Sequence, residues 1–343
     1  MTPDRLLPSR WGAILVVAGL GALALTRQAS GVLLLTRSFV WAILALSAWF
    51  LLRVTGRASL GNATFFGVAA YATGLCATRW GIDNVWLTLV IALTVAAAAG
   101  LLVGTASGRL SGFHFLLITL AFAEMFRAYA VRSEHLGGED GIAGIGRPST
   151  WPLPLDLTNA TTLMWFTGAA LAATVLALVV VLRSPFGACV IGVRDSPGRM
   201  AALGYSPTAY RIAGVVLASA IAGIAGVLNA YVVRFVSPTE FAPLVSAKSL
   251  LFTVVGGSGM LGSVVAATVL TFLEDELSTR FDRWLTVLGL VYIAIAMIGE
   301  RTARRALRPV GILAERTRGA VRRRSRPDAS GHVPLGHTVE VEA

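Results

Sequence analysis

Apolar residues in this chain do not alternate with polar ones, as in a half-buried strand, and they do not form the narrow stripe of a surface helix. They come in long runs, at residues 12–26, 33–52, 59–79, 84–104, 110–131, 160–182, 208–232, 246–257, 260–278 and 283–300. A helix needs ~20 mostly apolar residues to cross a bilayer, so the pattern predicts an all-α polytopic membrane protein with about ten transmembrane segments. The runs at 59–79, 246–257 and 260–278 are short or interrupted by Gly and Ser. They are expected to be broken or re-entrant, because unwound backbone is tolerated in a membrane only where protein or a cavity covers it. The run at 12–26 follows Arg5 and Arg10 and is read as an uncleaved anchor, although Ala22-Leu23-Ala24 resembles a signal-peptidase site. Leu60-Gly61-Asn62 and Leu261-Gly262-Ser263 form a weak internal echo of the kind that repeated transporter halves produce.

Composition agrees. Hydrophobic residues make up 55% of the 343 and charged ones 14%, against roughly 25% charged in soluble domains. Most of the surface therefore does not face water. The net charge of +11 is not spread over a face: residues 301–326 hold ten arginines and one acid, Glu315, which leaves only +2 elsewhere. Such a block directly after the last apolar run reads as a cytoplasmic flank held by anionic lipid rather than as a nucleic-acid surface. With ten crossings, both termini are then cytoplasmic, the loop 183–207 is cytoplasmic, and the loops 132–159 and 233–245 face outward. Three parts follow: an N-terminal anchor helix at 1–32, a transmembrane domain at 33–300, and a basic, disordered cytoplasmic tail at 301–343.

Four stretches differ from plain lipid-facing helix. Ser59 to Leu75 mixes small residues that let helices approach closely with Asn62, Thr64, Phe65, Phe66 and Tyr71, which could line a path or only a tight seam. In Gly108 to Arg127, Glu124 and Arg127 share one helix face at i,i+3 and form a candidate intramembrane ion pair, functional or structural. Leu136 to Ile142 carries Glu139 and Asp140 in a Gly-rich outer turn, where Asp is expected to cap backbone amides. Ser184 to Tyr205 is long enough for a short amphipathic helix with charges Arg194, Asp195 and Arg199 and an apolar side of Val190, Val193, Met200 and Leu203. A helix of this kind is a handle that a motor subunit could grip, or an element resting on lipid. Pro197 and Gly198 would disturb its continuity.

No G-x-x-x-x-G-K-[ST] sequence occurs, and the only lysine, Lys248, follows Ala247. The chain therefore has no P-loop of its own with which to hydrolyse ATP. Cys76 and Cys189 lie far apart and the four histidines are scattered, so neither a disulfide framework nor a metal site is indicated. No residue pattern supports an enzyme.

In this order the stretches resemble the permease subunits of the branched-chain amino-acid ABC transporter family. Ser59 to Tyr71 is similar to the family's S-L-G-[HNQ]-[AG]-x-F-x-G-[IV]-G-A-Y pattern, Thr119 to Arg127 to T-L-A-F-A-E-[IM]-x-R, and Gly137 to Ile142 to G-G-x-D-G-[IL]. Phe186 to Gly204 resembles F-G-x-x-x-x-A-I-R-E closing with A-L-G, Phe235 to Pro238 resembles F-[VI]-S-P, and Val254 to Ala267 resembles V-V-G-G-x-G-x-x-x-G-x-V-x-G. Ala188, Ile191, Pro197 and Ala201 depart from the family's charge pattern in the cytoplasmic loop. Glu139 stands where a small residue is common.

The resemblance implies two inverted-repeat halves, as in type II ABC importers. It implies a second homologous permease subunit, two cytoplasmic ATPase subunits that use ATP and Mg, and an extracytoplasmic solute-binding protein, in a bacterial cytoplasmic membrane. No cofactor is expected on this chain. The substrate pathway is expected at Asn62, Phe66, Tyr71, Thr119, Gly256 and Gly257, ATPase coupling at Arg194, Asp195 and Arg199, and binding-protein contact at Glu139 and Asp140. Import of urea, short amides or a sugar by the same architecture, or an ion-coupled secondary transporter, remains open at this point.

Overall fold

The computed structural model describes residues 29–110, 112–150, 156–280, 286 and 289–290. The expected segments at 12–26 and 283–300 and the tail from 301 lie outside the described residues, three positions of 283–300 apart. Among the described residues, ten helices carry the fold: α1 Ala29–Trp49, α2 Asn62–Thr78, α3 Val85–Ser107, α4 Phe113–Arg132, α5 Ala160–Arg183, α6 Pro185–Asp195, α7 Pro197–Ala202, α8 Pro207–Val233, α9 Pro243–Val255 and α10 Met260–Arg280. α1 runs on through a π-helical turn at Phe50–Val54.

Helix starts are written into the sequence. Asn159 accepts from Thr161 N–H ahead of α5, and Ser206 accepts from Ala209 N–H with Pro207 in the first turn of α8. Several hydroxyls inside the helices are satisfied locally: those of Thr36, Thr73 and Thr174 each donate to the carbonyl four residues back.

Among the described residues, five helices are long and apolar enough to cross a membrane: α1 with its π turn, α3, α4, α5 and α8. Of the three segments expected to be short or interrupted, two behave so. α2 begins only at Asn62, after unwound backbone, and α9 has 13 residues. The third does not: α10 is continuous over 21 residues, and Gly262 and Ser263 sit within its first turn. Its far end carries Glu274, Asp275 and Glu276.

α1 and α8 are the axis of the bundle. Their spanning windows are 72% and 61% buried, against 22% for α4. They run antiparallel and are joined where Ser47 Oγ donates to the Ala218 carbonyl at 2.8 Å. Lipid offers apolar side chains the same environment as a neighbouring helix, so close packing rather than dehydration holds such a bundle. α3 meets α8 accordingly, with Gly100 under Ser219 and Gly104 under Ile212. One feature departs from an all-α reading: Ile142–Ala143 and Phe235–Val236 pair as a two-residue antiparallel ribbon, β1 and β2. It ties the loop after α4 to the loop after α8.

Candidate functional site

The unwound stretch before α2 organises the centre of the bundle. α1 ends beside the start of α8, where Thr55 packs on Gly214. Gly56 then turns the chain with φ +75. By contrast, Phe66 lies against Gly226, which leaves no room for a β-carbon. Because α2 runs parallel to α8, Asn62 starts roughly 20 Å along the α8 axis from Pro207 at the helical rise of 1.5 Å per residue. α2 is thus a half-helix whose N-terminus lies inside the protein, and residues 56–61 are the connector that reaches it.

The connector is held by specific bonds. Arg57 is buried and its guanidinium donates to the Ser107 carbonyl at 2.7 Å and to the Leu110 carbonyl, while lying 3.7 Å above the Phe115 ring. Leu60 N–H donates to Thr119 Oγ1 at 3.2 Å, and the Thr119 hydroxyl donates on to the Leu116 carbonyl. Gly61 rests on Thr119, where a β-carbon would lie 2.9 Å from that residue's own.

At the start of α2, Ala63 N–H donates to Ser246 Oγ at 2.8 Å, so α2 and α9 meet at their N-terminal ends. Beside this junction, both polar atoms of the Asn62 amide and the Thr64 hydroxyl are buried with no hydrogen-bond partner among the described residues. A buried polar group left unpaired costs ~1–3 kcal/mol. Half-helix N-termini at mid-membrane are also where transporters present donors to anionic substrate groups.

The other expected pathway residues are spread more widely, along α2 and beyond it. Phe66 stacks on Trp41 with ring centroids 6.4 Å apart, and Tyr71 stacks on Phe241 at 5.5 Å with its hydroxyl unpaired among the described residues. Gly256 and Gly257 lie elsewhere, in the turn between α9 and α10. Gly256 is pressed against the Gly262 backbone, Gly257 has φ +77, and Trp49 Nε1 donates to the Ser258 carbonyl at 3.2 Å.

The expected motor handle, or lever, is two helices, not one. Ser184 caps α6 and Pro185 opens it; α6 ends at Asp195, and Pro197 starts α7 after the extended Ser196. This break divides the expected apolar side. Val190 and Val193 are buried and Met200 packs on Gly192, but Leu203 points away, 71% exposed. Arg194 reaches the connector. Its guanidinium donates to the Arg53 carbonyl, its Nε lies 2.8 Å from Asp195 Oδ1, and its stem covers Gly56, where a β-carbon would lie 2.5 Å from Arg194 Cγ. Arg199 is exposed on α7.

A family model for the permease component of branched-chain amino acid transport systems matches residues 31–298. The chain belongs to that family. Two curated relatives similar to this permease are the high-affinity branched-chain amino acid transport system permease protein LivM of Salmonella typhimurium and that of Escherichia coli K12, each 30% identical over 271 residues. The alignment covers 73% of the permease and 64% of each relative, so it spans a little under two thirds of the proteins it matches. No solved structure matches it.

Two further expected pairs lie on the surface of the permease. Glu124 and Arg127 are 3.4 Å apart on α4, with side chains 48% and 45% exposed. Glu139 and Asp140 are exposed in the turn after α4. That turn closes through backbone bonds, Gly138 N–H to the Ser133 carbonyl and Gly141 N–H to the Gly137 carbonyl, instead of through the expected Asp cap.

Sequence reasoning missed a charged cavity of about 460 Å³ at the end of the bundle away from the lever. It lies between the first half of α1, the end of α8, the loop after β2, the start of α9 and the end of α10, with Arg37, Glu240, Lys248, Glu274 and Asp275 in its wall. Lys248 pairs with Glu274 and lies 4.2 Å above the Trp41 ring. The available signal was that the chain's only lysine sits inside an apolar run.

Proposed function

We propose that this chain is the permease subunit of an ATP-driven importer that moves branched-chain or other small amino acids across a bacterial cytoplasmic membrane. The observation that carries the proposal is the unbroken path from lever to half-helix. Arg194 grips the Arg53 carbonyl and Gly56, and the connector from Gly56 leads in six residues to Asn62. A pull on α6 and α7 moves the backbone that positions the N-terminus of α2.

Motor subunits seated on the exposed face of α7, at Arg199 and Leu203, would deliver that pull. Arg194 and Asp195 are the transmitting pair. Closure of the ATPases, which hold ATP and Mg, rocks the bundle between inward and outward states. Asn62, Phe66 and Tyr71 line the path, while Thr119, Gly256 and Gly257 set its shape.

The wider architecture is read as ten crossings in two inverted halves, α1-α2-α3 answered by α8-α9-α10, with both termini cytoplasmic. Contacts exchanged under that swap support it: α3 packs on α8 as α10 packs on α1, and α2 on α8 as α9 on α1. The two short helices also meet end to end at Ala63 and Ser246.

A second, homologous permease covers α4. An ion pair half exposed on the least buried span is costly against lipid and is better placed in an interface. The outer turn at Glu139 and Asp140 meets a solute-binding protein.

The test is a transporter reconstituted with its ATPases and binding protein, carrying Arg194→Ala and Asp195→Ala together. ATP hydrolysis should continue while uptake is lost and binding-protein affinity is unchanged. Normal uptake by that variant would overturn the assignment.

A further inference from the structure

The cavity away from the lever holds more charge than a packing defect would. Lys248 and Glu274 neutralise one another across it. Arg37 is different: among the described residues it makes no hydrogen bond or ion pair, although it stands in the cavity wall. Opposite in sign, Glu240 accepts one hydrogen bond from Asn229 Nδ2 at 3.1 Å, and its second oxygen is uncommitted. The Asp275 side chain is likewise uncommitted. Leu34, Val233 and Phe235 supply apolar wall between these groups. The volume falls within the range of small-molecule sites.

We infer that this cavity binds a zwitterionic α-amino acid with an aliphatic side chain: Arg37 takes the carboxylate, Glu240 and Asp275 take the ammonium, and Leu34 and Val233 meet the side chain. This rests on the reading of the chain as an amino-acid permease and places a substrate contact within it.

The charge pattern decides the ligand class. A guanidinium offers a carboxylate two parallel N–H donors. An anion lacking an ammonium would bring its charge against Glu240 and Asp275, and an amine lacking a carboxylate would leave Arg37 facing another cation. A neutral solute such as a sugar or urea would leave both signs unanswered. Only a ligand carrying both charges satisfies both sides, and selectivity follows as much from these rejections as from the attraction. The cavity also adjoins the path through the bundle: Trp41, in its wall, stacks on Phe66, one turn beyond Asn62.

The test uses the assembled transporter in lipid nanodiscs with tritiated L-leucine, and with 4-methylpentanoate and 3-methylbutylamine as competitors that each carry one charge. Arg37→Gln and Glu240→Gln should each weaken leucine binding about tenfold or more, in line with loss of a charge-assisted hydrogen bond. Arg37→Lys should recover part of the loss, and both single-charge analogues should compete far more weakly than leucine. Elution of each variant as an intact complex separates loss of the site from loss of the fold. Leucine binding unchanged in both Gln variants, or analogues competing as well as leucine, would overturn the site. If the wild-type transporter accumulates leucine while the variants behave as wild type, only this site fails. If the wild type accumulates a sugar or urea and no amino acid, the site and the amino-acid reading fail together.

Discussion

Arg57 and Arg37 stand at opposite ends of one bundle and serve opposite purposes. Arg57 is buried, bonded to two carbonyls and stacked on Phe115. Arg37 is exposed in a cavity wall and makes no hydrogen bond or ion pair among the described residues. A cation bonded to backbone carbonyls and stacked on a ring fixes a shape and can transmit displacement. A cation left open is available for something that arrives. The proposed function uses the two accordingly: Arg57 as a fixed point at the lever end, Arg37 as an open one at the far end.

The largest effect should come from removing the committed cation. Arg57→Ala strips hydrogen bonds from the buried Ser107 carbonyl and the half-buried Leu110 carbonyl and empties the space over Phe115, and should cost about 3 kcal/mol of stability. Arg37→Ala should leave the melting temperature unchanged, so equal melting shifts for the two would erase the contrast. A smaller effect is expected at the lever's contact. Gly56→Ala meets Arg194 Cγ and forces a left-handed conformation on a residue with a β-carbon, costing about 2 kcal/mol. Only the steric share depends on Arg194, so a double-mutant cycle with Arg194→Ala should return a coupling of about 0.5–1 kcal/mol. Strict additivity would mean that lever and connector do not act as one unit.

The smallest effect is one of pH. Burial pushes the Glu240 carboxyl up to about 7, with the Asn229 hydrogen bond and the Arg37 charge drawing it partly back down. The charged groups that share its cavity are Arg37 on α1, Lys248 on α9, and Glu274 and Asp275 on α10. An ammonium favours the ionised carboxylate, so leucine binding should strengthen as pH rises through about 7 and weaken as it falls. Glu240→Gln should flatten that profile, and an unchanged slope in the variant would assign the titration to another group.

Much of the lever end was legible in the sequence, because its signals are local. Gly61 and Asn62 after a polar stretch marked a helix that does not start at a membrane face, and Pro197 marked the break between α6 and α7. Glu124 and Arg127 were placed together by helical spacing alone. The far end was not legible. Its cavity gathers Arg37, Asn229, Glu240, Lys248 and Asp275 from five elements separated by up to more than two hundred positions, and no periodicity connects them. The ribbon between Ile142 and Val236 is hidden for the same reason, since two-residue strands leave no alternating pattern. Arg57 resembled one more loop arginine because its partners are backbone carbonyls, which every residue carries. Leu203 was misassigned because the break at Ser196 turns α7 away from the face that Val190 and Val193 share.

The proposed function joins the two ends through borrowed drive: the sequence has no P-loop, and Arg194 grips the connector before α2. The direct measurement is to reconstitute the purified protein into sealed liposomes and follow labelled leucine with and without the ATPase subunits, binding protein and ATP. Uphill accumulation only when all of them are present is the expected result. Uphill accumulation by this chain with no other polypeptide in the liposome would contradict it.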